Sequence, residues 1–232
     1  MTDRPIIFSA PMVKALIAGR KSQTRRILKP QPDYLPGRLS SPHRDDDGQW
    51  VQTATDWQYS ESLGNYEPER ESNVPLRLCY APGDRLYVRE ACDIPRPGVA
   101  QILYRSDHPA SASIGIKWHP SIHMPRWVSR LTMTVTDVRV ERLNDISEAD
   151  AWAEGCRPGE MNDLGNPFPA DEPDPSGIGE RGWDCAGDWF ADLWNTIHGP
   201  EAWDANPWVV AISFDVRHGN IDMADPAVQV PA

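Results

Sequence analysis

The most regular pattern in this chain is an alternation of apolar and polar residues in one segment. Its apolar positions are Leu131, Met133, Val135, Val138 and Val140, with a single slip at Asp137. Because successive side chains of a β-strand point to opposite faces, a period of two predicts a long strand with one buried face. Such a strand needs neighbouring strands and a core to cover it, so the chain must fold around a sheet.

Capping and turn signals predict helices on both sides of this strand. Ser9 precedes an amphipathic stretch that ends near Gly19, and Asp145 or Ser147 precedes a second stretch that ends at Gly155. A third helix is predicted over 187–197, followed by a closing strand over 207–217. No glycine-rich phosphate-binding motif is present. The order of elements favours an α+β fold over repeated βαβ units.

Shorter strands and two insertions complete the predicted domain, which spans residues 1–217. Strands are expected at 6–8, on both sides of the turn at 82–84, and at 101–105. The segments 31–75 and 157–186 are rich in Pro, Gly and acidic residues, and we expect two loop-rich insertions there. Alternation near 49–60 nevertheless favours one hairpin strand. Residues 218–232 are expected to form a polar, frayed tail.

Charge is distributed unevenly along the chain. The formal net charge is −11, which argues against broad binding to duplex DNA. Residues 1–40 nevertheless hold eight Lys or Arg against two acidic residues, while residues 143–232 hold three Arg against eighteen acidic residues. This pattern predicts a local basic surface on an acidic protein. It favours a small ligand or a short single strand as the partner.

The same composition bears on location and on metals. No apolar run approaches the roughly 20 residues that span a bilayer, and the N-terminus lacks a secretory signal, so we expect a cytoplasmic protein without membrane contact. The four cysteines form no CxxC pair, and His119 and His123 flank Pro120, which disfavours a helix there. We therefore expect reduced, mostly buried cysteines and no metal site.

One short motif carries a family resemblance. Gly19, Lys21, Thr24 and Arg26 occupy the fixed positions of the GxKxxTxR signature, and the chain here resembles the ASCH family. FSAPMVKALIAG, PGDRLYVRE, the helix around DISEADA and the strand NPWVVAISF are also similar to that family. The block from His119 to Leu143 resembles a phage- and prophage-associated subgroup. The resemblance implies a PUA-like mixed β-barrel with helices on its rim, binding of RNA or a modified nucleobase, no cofactor, and a bacterial host cell if phage-encoded.

The resemblance also implies a catalytic set. Small bacterial members of the family hydrolyse N4-acetylcytidine, with a Lys, a Thr and a Glu proposed as the working residues. Lys21 and Thr24 match that set, and the place of the family's acid points to Glu154. Glu90, which follows an apolar strand, is the rival carboxylate. A desolvated lysine can act as a general base, and a threonine hydroxyl beside it can attack an amide carbonyl.

Basic and aromatic residues form a second candidate group. We expect Arg26 to clamp a phosphate or to pair with Glu90 or Glu154, and Arg25 to face solvent. Around the start of the long strand, basic groups alternate with an aromatic ring, which suits single-stranded RNA: His123, Arg126, Trp127 and Arg130. Trp208 opens the final strand and is expected at the mouth of the cleft.

Four functions remain open from the sequence. The first is a binding module for a nucleobase, modified nucleoside or short single-stranded RNA. The second is an amidohydrolase that deacylates N4-acetylcytidine-like nucleosides. The third is a ribonuclease with Lys21, Arg26 and His123 in acid–base roles. The fourth is a phage assembly factor whose acidic, Trp-rich C-terminal part docks a partner. The oligomeric state is not predicted.

Overall fold

A computed structural model of the chain describes residues 2–32, 40–60, 65–94, 101–108, 116–161, 167–170 and 182–223. Its strands are β1 (Asp3–Ile7), β2 (Gln23–Ile27), β3 (His43–Arg44), β4 (Trp50–Ser60), β5 (Asn65–Pro75), β6 (Arg85–Arg89), β7 (Cys92–Asp93), β8 (Leu103–Tyr104), β9 (Leu131–Arg142), β10 (Arg157–Met161), β11 (Pro167–Ala170) and β12 (Trp208–His218). Its α-helices are α1 (Ala10–Ile17), α2 (Glu148–Ala153) and α3 (Ala186–His198). The fold is α+β.

A five-stranded sheet of order β1-β6-β9-β12-β2 forms the centre of the fold. β1 and β6 run parallel, and the other neighbours are antiparallel. The alternating segment is β9, as predicted, and its apolar side chains are buried. It lies between β6 and β12 because a strand with a fully apolar face is best satisfied in the middle of a sheet.

The three predicted helices are confirmed with small shifts at their ends. After α1, Gly19 adopts φ +70°, a left-handed conformation that suits glycine and turns the chain toward β2. At α2, the Ser147 hydroxyl accepts a hydrogen bond from the Asp150 amide at 3.1 Å and so caps the first turn. Gly155 (φ +107°) follows α2 and returns the chain toward α1.

The edge strands of the central sheet, β1 and β2, share no ladder within the described residues, and no closed barrel is found there. Arg26 on β2 nevertheless reaches across, because its Nη2 donates to the Ile7 carbonyl of β1 at 2.8 Å. A side chain therefore links the two edges where backbone hydrogen bonds do not.

The two insertions contain more regular structure than their composition predicts. Within 31–75, β3, β4 and β5 form an antiparallel sheet, and Trp50 at its base donates from Nε1 to the Val138 carbonyl at 3.0 Å. The alternation in β4 decides the local structure despite the surrounding Pro and Gly, because paired strands satisfy each other's backbone groups. Within 157–186, β10 and β11 pair as a hairpin, and 171–181 lies outside the described residues.

Two other predictions need correction. Of the strands predicted around the turn at 82–84, only β6 forms, while residues 76–80 are irregular. The beginning of the predicted tail is packed: Ile221 is buried, and the Asn220 side chain donates to the carbonyls of Arg126 and Ser129 at 2.8 Å each. Buried apolar area and satisfied carbonyls hold this segment in place. Residues 224–232 lie outside the described part of the chain.

Two apolar cores position the site. One lies between the central sheet and α1, and the other joins α2, α3 and the start of β12. Within the described residues, no helix has the length and apolar character needed to cross a bilayer.

Candidate functional site

Lys21 and Glu154 meet where the chain leaves α1 and α2. The two residues form an isolated antiparallel bridge between segments 133 positions apart in sequence. Lys21 Nζ donates to Glu154 Oε2 at 2.7 Å and to the Glu154 carbonyl at 2.7 Å. Lys21 is 1% exposed and Glu154 2% exposed. A fully buried lysine is rare unless it is paired, and this one is paired with Glu154, the carboxylate to which the family resemblance pointed.

Burial lowers the pKa of Lys21 below the ordinary lysine value. The carboxylate of Glu154 opposes this shift, while the positive charges of Arg26 and Arg25 add to it. The amine is therefore easier to deprotonate than a surface lysine, as a general base requires.

Arg25 is buried, which corrects the expectation that it faces solvent. Its side chain is 0% exposed and meets three carboxylates, at 2.7 Å from Glu141, 3.3 Å from Asp150 and 3.1 Å from Glu154. The burial of this guanidinium is tolerated because each of its three nitrogen atoms donates to a carboxylate oxygen. Arg25 and Lys21 each bind one oxygen of Glu154, so that carboxylate is held in a fixed orientation.

Asp150 extends this network to the protein surface. Although burial alone raises the pKa of Asp150, the hydrogen bond from Gln23 at 2.8 Å and the charges of Arg139 and Arg25 lower it overall. The Asp150 side chain therefore stays ionised and helps to hold Arg25 in place.

A cavity of about 240 Å³ lies beside this pair. Lys21, Thr24, Arg26 and Glu154 line it, and Thr24 is buried on β2. The remaining wall is largely apolar and comes from the end of β1, from α1 and from α3: Ile7, Phe8, Met12, Leu193, Trp194 and Ile197. The three residues of the predicted catalytic set therefore share one cavity.

Aromatic rings complete the cavity, although no motif in the sequence identified them as site residues. The Phe8 ring centroid lies 5.7 Å from Lys21 Nζ and 5.2 Å from Arg26 Cζ. His198 also lines the cavity and packs on Trp194 with ring centroids 4.2 Å apart. Burial, aided by Arg26 and Lys29, lowers the pKa of His198. The spacing of four between Trp194 and His198 on α3 is the signal that would have placed them together.

Arg26 lines the cavity but forms no ion pair with a carboxylate of the described residues. Its guanidinium donates to the Ile7 carbonyl and lies over Phe8, and burial lowers its pKa. The predicted pairing with Glu90 or Glu154 is therefore not seen. Because Arg26 lines the cavity, contact with a phosphate or a base of the ligand stays its predicted role.

Glu90, the rival carboxylate, lies outside this cavity. It is 1% exposed and is bound by Arg130 Nε at 2.9 Å and by the Ser106 hydroxyl at 2.5 Å. Glu90 belongs to a separate ion-pair group, so of the two carboxylates it is Glu154 that lies beside Lys21.

The residues of the predicted RNA-binding group lie outside this cavity, and its two arginines are bound by carboxylates. Arg126 pairs with Asp3 at 2.5 Å and Asp222 at 2.6 Å, and Arg130 also pairs with Asp107 at 2.7 Å. His123 is exposed and Trp127 is 61% exposed. None of these four side chains lines the cavity. Carboxylates already occupy the two arginines, which leaves them poorly suited to phosphates.

Trp208 is 8% exposed and belongs to the core between the sheet and α1, with Arg142 over its ring at 4.5 Å. It does not line the cavity, because its position at the start of β12 turns it into the apolar core. The expectation that it lines the mouth of the cleft is not met.

The cysteines are all free, and only Cys92 and Cys156 are buried. Burial raises the pKa of Cys156 to about 12, so this thiol stays protonated. Among the described residues, no three His, Cys, Asp or Glu side chains cluster closely enough to hold a metal ion.

Comparisons with known proteins found no family model, no curated protein and no solved structure that matches the chain.

Proposed function

We propose that this chain binds a nucleobase-sized ligand, either a modified nucleoside or an unpaired base of a short RNA, in the cavity beside Lys21. The observation that carries this proposal is the buried Lys21–Glu154 pair on the wall of a cavity that Thr24 also lines. A buried, charged pair with a shifted lysine pKa on the wall of a cavity is a candidate site for the recognition of a polar ligand.

The chemistry of the wall suits one edge and one face of a base. Lys21 can donate to a base carbonyl, and Glu154 can accept from an exocyclic amino group. Phe8 offers an aromatic surface for stacking. A volume of about 240 Å³ is below the roughly 300 Å³ at which cavities for larger organic ligands begin, so the part of the ligand that enters this cavity is of the size of one base or nucleoside.

The amidohydrolase is the second candidate, and the position of Glu154 favours it. In this reaction the Thr24 hydroxyl attacks the amide carbonyl of an N4-acylated cytidine, while neutral Lys21 takes the hydroxyl proton. The C–N bond then breaks, and the Lys21 ammonium returns the proton to the leaving amino group. Water hydrolyses the acyl ester on Thr24 and releases the acid. Glu154, held by Arg25, positions the amine of Lys21.

Three other predictions from the sequence concern a ribonuclease, a phage assembly role and the barrel fold. A ribonuclease that uses His123 gains no support, because His123 does not line the cavity. The phage assembly role stays a prediction from resemblance. The PUA-like barrel of the ASCH family also stays a proposal, and the contact of Arg26 with the Ile7 carbonyl supports it because it brings the edges of the sheet together.

The first test titrates the protein with cytidine, N4-acetylcytidine and a panel of other modified nucleosides and measures the affinities by calorimetry. We expect binding to the wild type and at least a tenfold loss in Lys21→Met, since a charged hydrogen bond contributes about 1.5–3 kcal/mol. Lys117→Met, an exposed lysine outside the cavity, is the matched control and should bind normally.

The same samples separate binding from catalysis. Release of cytidine from N4-acetylcytidine, absent in Thr24→Val, would establish the amidohydrolase. Binding without release would leave the binding module. Equal affinity in the wild type and Lys21→Met, or no binding of any nucleoside, would contradict the proposal.

A further inference from the structure

A second cavity of about 360 Å³ lies against the first. Met12 and Leu193 line both cavities. Gly155 and Ala15 line the second one, and a Cβ atom placed on Gly155 would lie 3.2 Å from Lys21 Cβ. The two cavities therefore share part of a wall, and Gly155, which lines the second, lies next to the stem of Lys21, which lines the first.

Two arginines on the wall of this cavity have no carboxylate partner among the described residues. Arg20 and Arg157 are partly exposed there, and neither takes part in an ion pair within the described part of the chain. Arg25, Arg126 and Arg130 each bind two or more carboxylates. In a protein of net charge −11, two guanidinium groups on one cavity wall without a carboxylate partner among the described residues favour the binding of an anion.

The rest of the wall fits an organic anion better than a simple ion. Trp183 and Trp189 supply aromatic surface, against which a sugar or base can pack. Asp192 is the one acidic side chain among the lining residues, and it accepts a hydrogen bond from Trp183 Nε1 at 2.5 Å. Among the described residues that line the cavity, two arginines therefore face one carboxylate.

We infer that the second cavity is an anion subsite, in which Arg20 and Arg157 bind the phosphate of a ligand whose base occupies the first cavity. The substrate class is then a phosphorylated nucleoside rather than a free one. The phosphate comes either from a mononucleotide or from an RNA strand. This inference rests on the proposed function of the first cavity.

The test compares cytidine and N4-acetylcytidine with their 5′- and 3′-monophosphates by calorimetry. We expect one monophosphate to bind about tenfold more tightly than its nucleoside, as a charge-assisted contact predicts. Arg20→Gln and Arg157→Gln should remove this gain while leaving the affinity for the nucleoside unchanged. A dinucleotide that binds more tightly than either monophosphate would identify a strand as the source of the phosphate.

Two further variants guard against effects on folding. Asp192→Asn removes the negative charge but keeps an acceptor for Trp183, so the monophosphate should bind more tightly. Arg77→Gln makes the same charge change on an exposed residue outside both cavities and should have no effect. An unfolded variant cannot produce opposite changes in affinity at Asp192 and at the two arginines.

The outcomes separate the two proposals. Equal affinity for nucleoside and monophosphate, or a gain that survives both arginine substitutions, would overturn the anion subsite and leave the base site standing. Binding of monophosphates with no binding of nucleosides would overturn the base site and support the arginine pair alone. Loss of all binding would refute both.

Discussion

At the scale of single residues, the site is a set of buried charges that depend on one another. Lys21, Arg25 and Glu154 are each almost fully buried and bound by opposite charges. A structural pair of this kind adds little net stability compared with an apolar pair, because desolvation offsets the attraction. Its presence next to a cavity therefore favours a functional reason for its retention.

The lowered pKa of Lys21 gives a prediction for stability. Between this lowered pKa and 10.5, the unfolded chain binds more protons at this residue than the folded one, so the wild type gains stability as pH rises. Lys21→Met lacks this contribution. Urea unfolding across the alkaline range should show the wild type gaining on Lys21→Met as pH increases. A difference that stays constant with pH would contradict the lowered pKa.

The lowered pKa of Lys21 also bears on catalysis. If the amidohydrolase reading is right, the rate of release of cytidine should rise with pH through the same range, because only the neutral amine accepts the proton of Thr24.

At the scale of elements, the site depends on a close approach between the end of α2 and the end of α1. Gly155 follows α2, and a Cβ atom there would lie 2.9 Å from Ala15 Cβ and 3.2 Å from Lys21 Cβ. A glycine with positive φ is needed at this crossing for two reasons, conformation and space. The crossing sets the position of Lys21 relative to Glu154.

A comparison of alanine substitutions at Gly155 and at Gly48 should separate the cost of the backbone conformation from the cost of the close contact. Gly48, in the turn before β4, has φ +76° and open space around it, so Gly48→Ala should cost only the strain of about 1–2 kcal/mol. Gly155→Ala adds overpacking of about 1–3 kcal/mol and should also weaken nucleoside binding by displacing Lys21. Chemical unfolding and calorimetry measure both. Equal costs for the two variants would show that the contact is not tight.

At the scale of the whole molecule, the β3–β4–β5 sheet is separate from the central sheet and meets it at its base. Trp50 and Arg44 donate to the Val138 carbonyl at 3.0 Å and 2.8 Å, and Val51 is buried. Farther along, β4 and β5 pair with each other up to Ser60 and Asn65. The base of the hairpin is therefore part of the domain, and neither candidate cavity contains hairpin residues.

Replacement of residues 57–68 by a two-residue turn should leave the fold and nucleoside binding intact, because the base contacts remain. Trp50→Ala should destabilise the protein by about 3 kcal/mol or more, since it removes a packed ring and its hydrogen bond. Circular dichroism, unfolding and calorimetry provide the readouts. A loss of nucleoside binding in the shortened protein would assign the hairpin to the site.

Local features of the fold were predictable from the sequence. The alternation of β9, the cap at Ser147 and the glycines at 19 and 155 each act within a few neighbouring residues. Composition predicted the structure less well. The acidic, Pro-rich segment 31–75 was expected to be loop-rich, yet it contains regular strands because the pairing of β4 with β5 satisfies their backbone groups.

The sequence by itself determined the long strand β9, the three helices, the closing strand and their apolar faces, because these depend on periodicity and on short-range turns. Lys21 and Thr24 were identified by resemblance to a short motif. Only the tertiary structure decided which charges meet. Arg25 is buried and donates to Glu154, which is 129 positions away in the sequence. Glu90 is bound by Arg130 and not by Lys21. The pairing of buried charges depends on which elements lie side by side, and no local pattern encodes that distance. The candidate site at Lys21, Thr24 and Glu154 exists because α1 and α2 meet at Gly155.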